Sequence, residues 1–251
     1  IADKTMSCVI KLEFFFIIGI DCHLALPAPT ANSNIAALFV ARGVRMSART
    51  SNGNDMFQGS LVALVTPFDA DNKVDYPALK RLIDFHVEQG SDGLVIAGTT
   101  GESPTLATDE HIALIHRSVE MVDGRLPVIA GTGSNSTAQT MQLSRSVADS
   151  GIDAYLLVVP YYNKPVQEGL FRHFSTLADA LEKPVMLYNV PGRTVADLLP
   201  ETVARLARHE NIVALKEATG SIQRLKDIQK LVEPSFGLFS GDDFTVLDFL
   251  I

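Results

Sequence analysis

The sequence predicts an α/β fold, a (β/α)8 TIM barrel truncated after about seven strand–helix units. Three observations predict it. From Leu61 onward, short apolar runs alternate with longer amphipathic ones, the mark of a parallel sheet covered by helices, open or closed. The units recur at roughly 30 residues, as eight units in about 250 residues require. Polar and special residues follow nearly every apolar run, in "TPF", "GTTGES", "GTGSN", "PYYN", "YNVPGR", "KEATG" and "SGDD". A site assembled from many strand ends is the habit of a barrel, whereas an open sheet gathers its ligand at one switch point. The barrel is therefore favoured, with its eighth strand expected beyond Ile251. Without that strand, the edges of the first and seventh would be unpaired, and the chain alone is expected to fold poorly.

The elements follow in order. "LVALVTPF" (61–68) is the first strand, and "YPALKRLIDFHVEQG" the first helix, with Leu79, Leu82, Ile83 and Val87 on one face. Gly90 stands at its C-cap. "GLVIAGT" (93–99) leads to the helix "DEHIALIHRSVEMV", where Thr108 and Asp109 mark the N-terminus. "PVIAGTG" (127–133) leads to "TAQTMQLSRSVADSG", closed by Gly151. The remaining strands are "AYLLVVPYY" (154–162), "PVMLYNVP" (184–191), "IVALKEA" (212–218) and "GLFSGDD" (237–243).

Composition narrows the function. The 251 residues carry a net charge of −8 and 47% hydrophobic content. That supplies a core and argues against a nucleic-acid partner, which calls for a basic patch. Residues 1–55 differ in texture from the body and read as an N-terminal extension to the catalytic domain at 56–251. They are expected to be disordered, a targeting segment, or upstream of the true start, with Met46 and Met56 both candidate starts. "FFFIIGI" (14–20) is too short to span a bilayer, so no membrane partner is expected. Cys8 and Cys22 both lie in this segment, so a disulfide between them would staple only a peripheral piece.

Among the motifs, "GTTGES" suits an anion cradle made by backbone N–H groups, or simply a tight turn into a helix. It lacks the Gly-Lys-Ser/Thr ending of a P-loop. No metal site is expected: His111 and His116 are five apart, not an i, i+4 pair, and the adjacent Asp242 and Asp243 diverge. The body has no cysteine and no G-x-S-x-G elbow. What remains is Lys216 at the end of the sixth strand and Tyr188 at the end of the fifth. Under strict alternation each points inward, Lys216 with Ile212 and Ala214, Tyr188 with Met186. A desolvated lysine loses proton affinity, and its neutral amine attacks carbonyls to form imines. A nearby phenol shuttles the protons. The blander alternatives are a salt bridge from Lys216 to Glu217 and ordinary core packing for Tyr188.

"FQGSLVALVTPF", "GTTGES", "VIAGTG", "PYYNKP", "LYNVPGRT", "IVALKEATG" and "SGDD", in that order, resemble the dihydrodipicolinate synthase family over residues 56–251. The resemblance implies a (β/α)8 barrel with a C-terminal helical extension, a cytoplasmic homotetramer built as a dimer of dimers. The implied reaction condenses pyruvate with aspartate semialdehyde on the way to lysine, with no cofactor beyond a Schiff base. Residue by residue, it implies that Lys216 captures pyruvate. Tyr188 would exchange protons and be linked through Thr99 to Tyr162, which reaches into a neighbouring subunit. Thr100 would hold the pyruvate carboxylate, Arg193 the carboxylate of the semialdehyde, and Gly241 would line the pocket. Pyruvate lyases on the same scaffold, such as N-acetylneuraminate lyase or keto-deoxy-sugar aldolases, share Lys216 and Tyr188, while Thr99, Thr100 and Arg193 favour the synthase. A different alternative is a non-catalytic barrel or inactive fragment: the retained Lys216, Tyr188, Thr99, Tyr162 and Arg193 argue against it, and the expected lack of an eighth strand argues for it.

Ser103, His111, Asn135 and Tyr161 match the allosteric lysine site of regulated relatives. Gln139 stands where those relatives use a glutamate, and Thr108 replaces a histidine. Losing the carboxylate removes a charge-assisted contact to the lysine amine. Lysine is therefore expected to inhibit weakly or not at all, and half-inhibition at sub-millimolar lysine in a turnover assay would overturn this.

Overall fold

A parallel strand that is covered by helices outside and by other strands' side chains inside is buried on both faces, and the apolar runs fold accordingly. The computed structural model describes residues 16–19 and 57–250. One strand, β1 (Phe16–Gly19), precedes seven that run parallel in chain order. These are β2 (Ser60–Ala63), β3 (Gly93–Ile96), β4 (Val128–Gly131), β5 (Ala154–Val158), β6 (Val185–Asn189), β7 (Ile212–Glu217) and β8 (Gly237–Ser240). The sheet closes into a barrel because β1 pairs antiparallel with β2 on one side and β8 on the other.

That closure differs from expectation. The edges of the first and seventh parallel strands, expected to be bare, are both covered. An exposed edge presents a row of backbone donors and acceptors to any segment able to extend along it, and Phe16–Gly19 fills that place in the opposite sense to its neighbours. The remainder of the 1–55 extension, and the disulfide considered for Cys8 and Cys22, lie outside the described residues.

Two cores result from the alternation of side chains. Leu61, Val95, Ile129, Leu156, Met186 and Phe239 fill the barrel interior. Their chain neighbours, such as Val62, Leu94, Val128, Tyr155 and Leu187, pack against the helices. Ile212 departs from the expected parity. A bulge offsets β7 against β6 so that Val185 pairs with Ile212 but Met186 with Ala214. Ile212 consequently joins the helix-facing core, while Val213 and Ala214 adjoin the interior.

The outer helices begin and end where local chemistry dictates. In α1 (Tyr76–Glu88), the Asp75 carboxylate accepts from Ala78 N at 2.9 Å, Leu79 and Ile83 are buried, and Gly90 follows at φ +77°. Next come α2 (Thr108–Val122), α3 (Thr137–Ser146) and α4 (Gln167–Ala180). They are followed by the short α5 (Pro191–Thr194), α6 (Pro200–Leu206), α7 (Ile222–Gln229) and α8 (Val246–Leu250). Among the described residues, no helix is long and apolar enough to cross a membrane.

The loops at the C-terminal ends of the strands form one mouth, and its backbone is tightly packed. A Cβ at Gly131 would overlap the carbonyl oxygen of Ala97 and lie 2.7 Å from Ala97 C and 3.0 Å from Gly98 N, all backbone atoms. Gly131→Ala is expected to lower stability by about 1–3 kcal/mol through overpacking. Urea unfolding measures it, and an unchanged midpoint would show that the end of β4 and the turn after β3 are not in contact as described.

Candidate active site

The site begins with the pairing of β6 and β7. Beyond the bulge their register sets Tyr188 opposite Lys216, and both side chains enter the barrel at its mouth. Lys216 is only 4% exposed and Tyr188 6%. The Lys216 Nζ lies 4.5 Å from the centroid of the Tyr188 ring. Burial lowers the lysine to about 7; the Asp243 carboxylate works against that shift and the Arg193 charge adds to it. The amine therefore has a large neutral fraction near neutral pH, the form that attacks a carbonyl. The Tyr188 phenol is raised by burial, with the charge of Arg193 and a hydrogen bond to Thr99 pulling it down.

Gly241, just past β8, leaves room for the lysine stem. A Cβ there would come 2.7 Å from Lys216 Cε and 3.0 Å from its Cγ, and its N–H anchors the loop on the Glu217 carbonyl at 2.8 Å. Thr99 and Thr100 occupy a turn after β3 that starts at Ala97 (φ +55°) and ends at Glu102 (φ +59°). The turn closes through Glu102 N to Thr99 O at 3.0 Å and Ser103 N to Gly98 O at 3.3 Å. Thr66 was not anticipated in this role. It is buried, and its hydroxyl donates to Gly101 O at 2.7 Å, tying the turn to the end of β2. The available signal was a hydroxyl residue at a strand end, in "VTPF".

Arg193 sits on α5, directly after β6, and its charge acts on both Tyr188 and Lys216. Lys216, Tyr188, Thr99, Arg193 and Gly241 are thus brought together, with Thr100 next to Thr99 in the same turn. Tyr162 is not buried with them: it is 88% exposed, with left-handed backbone at φ +71°. Glu217 does not pair with Lys216. It lies on the opposite face of β7, where it accepts from Asn189 Nδ2 at 3.1 Å and Thr219 N at 2.7 Å.

The residues matched to a lysine site are spread over the loops after β3, β4 and β5 and the helix α2. Ser103 opens a 3-10 turn, and Asn135 O accepts from Asn163 Nδ2 at 3.2 Å. His111 is buried, and its Nε2–H donates to Gly131 O at 2.8 Å. Burial lowers its pKa, against that hydrogen bond. Tyr161 is half-buried and Gln139 is exposed.

A sequence model described as the Dihydrodipicolinate synthetase family matches residues 56–251. The 4-hydroxy-tetrahydrodipicolinate synthase of Pseudoalteromonas atlantica is 58% identical over 195 residues, which are 78% of this chain and 67% of that protein. The crystal structure of dihydrodipicolinate synthase from Aquifex aeolicus superposes with a TM-score of 0.75 at 47% identity, covering 76% of this chain and 66% of that one. The chloride-inhibited dihydrodipicolinate synthase from Acinetobacter baumannii, crystallised with pyruvate, gives 0.73 at 46% identity over 75% and 65%. The chain spans about two thirds of the length of the relatives it matches.

The burial of Lys216 is directly measurable. Competitive acetylation with trace acetic anhydride, read by peptide mass spectrometry across pH, is expected to label Lys216 with a midpoint near 7. Labelling should rise with pH through that value, because only the neutral amine reacts. A midpoint near the ordinary lysine value of about 10.4 would show that the side chain is solvated.

Proposed function

The chain belongs to the dihydrodipicolinate synthetase family, and from that premise we propose that it condenses pyruvate with L-aspartate 4-semialdehyde to 4-hydroxy-tetrahydrodipicolinate. The observation that carries this reading is Lys216, buried at the end of β7 with Tyr188 opposite it in register. The neutral Lys216 amine adds to the C2 carbonyl of pyruvate, and the carbinolamine loses water to give the imine. The water's oxygen comes from the ketone, and Tyr188 relays the protons that its departure demands. Loss of a C3 proton then gives the enamine, whose carbon attacks the aldehyde of the second substrate. The substrate's own amine finally replaces Lys216 at C2, closing the ring and freeing the enzyme.

The other residues divide the anionic work. The turn carrying Thr99 and Thr100 offers hydroxyl and backbone N–H groups to the pyruvate carboxylate. Arg193 offers a planar fork to the carboxylate of the semialdehyde. In this reading the 88% exposure of Tyr162 has a purpose: the side chain completes the Tyr188–Thr99 relay of a second subunit, in a homo-oligomer assembled as a dimer of dimers. The reaction needs no cofactor, since Lys216 is the covalent group. Lysine or diaminopimelate synthesis in the cytoplasm is the setting that fits this chemistry.

Sodium borohydride with pyruvate should fix a reduced adduct on Lys216, located by mass spectrometry, and Lys216→Ala should gain none. Tyr188→Phe should keep its melting profile yet lose roughly 10²–10⁴-fold in condensation rate, the range for removing a proton-transfer group. An adduct elsewhere, or a Tyr188→Phe variant with parental turnover, would sink the assignment.

A further inference from the structure

Lys216 and Tyr188 are each followed by a buried polar residue. Asn189 is fully buried and Glu217 is 3% exposed, and the register pairs them as it pairs the two residues before. Asn189 Nδ2 donates to Glu217 Oε2 at 3.1 Å and to Asp197 Oδ1 at 2.9 Å, while Leu198 N donates to Asn189 Oδ1 at 3.0 Å. Both amide hydrogens and the amide oxygen are therefore engaged. The other Glu217 oxygen takes Thr219 N at 2.7 Å. Asp197 is held in turn by a two-pronged ion pair with Arg224 at 2.7 and 3.0 Å, and Arg224 also donates to Leu198 O at 3.1 Å.

These bonds span the pieces that the reaction must align. One tie joins β6 to β7 one residue beyond Tyr188 and Lys216. Another pins Asp197 and Leu198 to the end of β6, anchoring both ends of the segment that carries Arg193. The β6–β7 pairing already contains a bulge between Val185 and Met186, and a one-residue slip would exchange inward and outward side chains. A carboxylate taken from water with amide and backbone N–H groups as direct partners is costly to bury. Apolar residues would fill such a space without that desolvation, but without its directional bonds.

We propose that the Asn189–Glu217 pair, anchored by Asp197 and Arg224, is a positioning element that holds Lys216, Tyr188 and Arg193 in one geometry. The proposal rests on the Schiff-base reading of the site, and its test includes a readout that needs no pyruvate.

The test compares the parent chain with Glu217→Gln, Asn189→Asp and the double variant. Glu217→Gln removes an acceptor, and Asn189→Asp sets a new carboxylate against those of both Glu217 and Asp197. The double variant restores the bond between positions 189 and 217 with donor and acceptor exchanged, at the parental charge, while the bond to Asp197 stays lost. Each is read by thermal melt, by the acetylation midpoint of Lys216, and by the rate of borohydride capture with pyruvate. Each single variant is expected to raise the Lys216 midpoint as water enters the mouth. Capture should slow by roughly 10- to 100-fold, as a displaced reactive group does, and the double variant should recover about tenfold of that loss. Single variants with parental midpoint and capture overturn the proposal, as does a double variant whose losses simply multiply. If the parent captures no pyruvate, the Schiff-base reading fails, and the midpoints still decide: displaced ones uphold the positioning role for Lys216 and unchanged ones overturn it. If one single variant does not fold, the other and the double variant decide in the same way.

Discussion

Removal of the Lys216 ammonium from water, enforced where β7 ends inside a ring of packed side chains, is the constraint on which the rest of the site depends. Desolvation brings the amine down to about 7, with the Arg193 charge adding to that shift and the Asp243 carboxylate opposing it. Gly241 lets the aliphatic stem pass, the Tyr188 ring lies 4.5 Å from Nζ, and the Glu217 carboxyl is turned to the opposite side of the strand. The consequence for stability follows from proton linkage. Between about 7 and the ordinary lysine value near 10.4, the unfolded chain binds more protons than the folded one, so stability rises with pH across that window. Below it the fold bears the whole penalty of keeping this lysine buried. The site is thus maintained against the tendency of its own central residue.

The core that bears this penalty was largely legible in the sequence, because parallel strands buried on both faces leave unbroken apolar runs bounded by polar loops. Parity then placed Lys216 and Tyr188 inward. Parity failed at Ile212, where the bulge turns the side chain toward the helices. "NIVALKE" reads the same with or without a bulge, since Ile212 and Val213 suit either core. Which of the two faces inward depends on how β6 and β7 mesh, a relation between segments more than twenty residues apart. The pairing of Phe16–Gly19 with β2 and β8 escaped notice for a similar reason. A short apolar segment states that it is able to form a strand, not which edge it will find.

Polar residues were harder to read than apolar ones. Thr66 and Asn189 have ordinary surroundings in sequence, and only the fold shows that one ties the turn after β3 and the other saturates its amide against Glu217 and Asp197. Glu217 looked like a partner for Lys216 because the two are adjacent. Adjacent residues on a strand face opposite ways, so adjacency is itself the argument against a contact. The same rule that directs Lys216 into the barrel directs Glu217 out of it.

This division of labour by parity explains how a barrel mouth combines reactivity with rigidity. Inward positions must leave space and hold groups whose charge state is poised, and neither property adds stability. The outward positions of the same strand ends are free to carry hydrogen bonds that would block a substrate if they pointed inward. In β6 and β7 the inward residue comes first and the hydrogen-bonded outward residue follows, Tyr188 then Asn189 and Lys216 then Glu217. The segment returning through Asp197 to Arg224 carries the same tie toward α7. The segment that carries Arg193 is therefore tied to the end of β6 by hydrogen bonds outside the barrel interior.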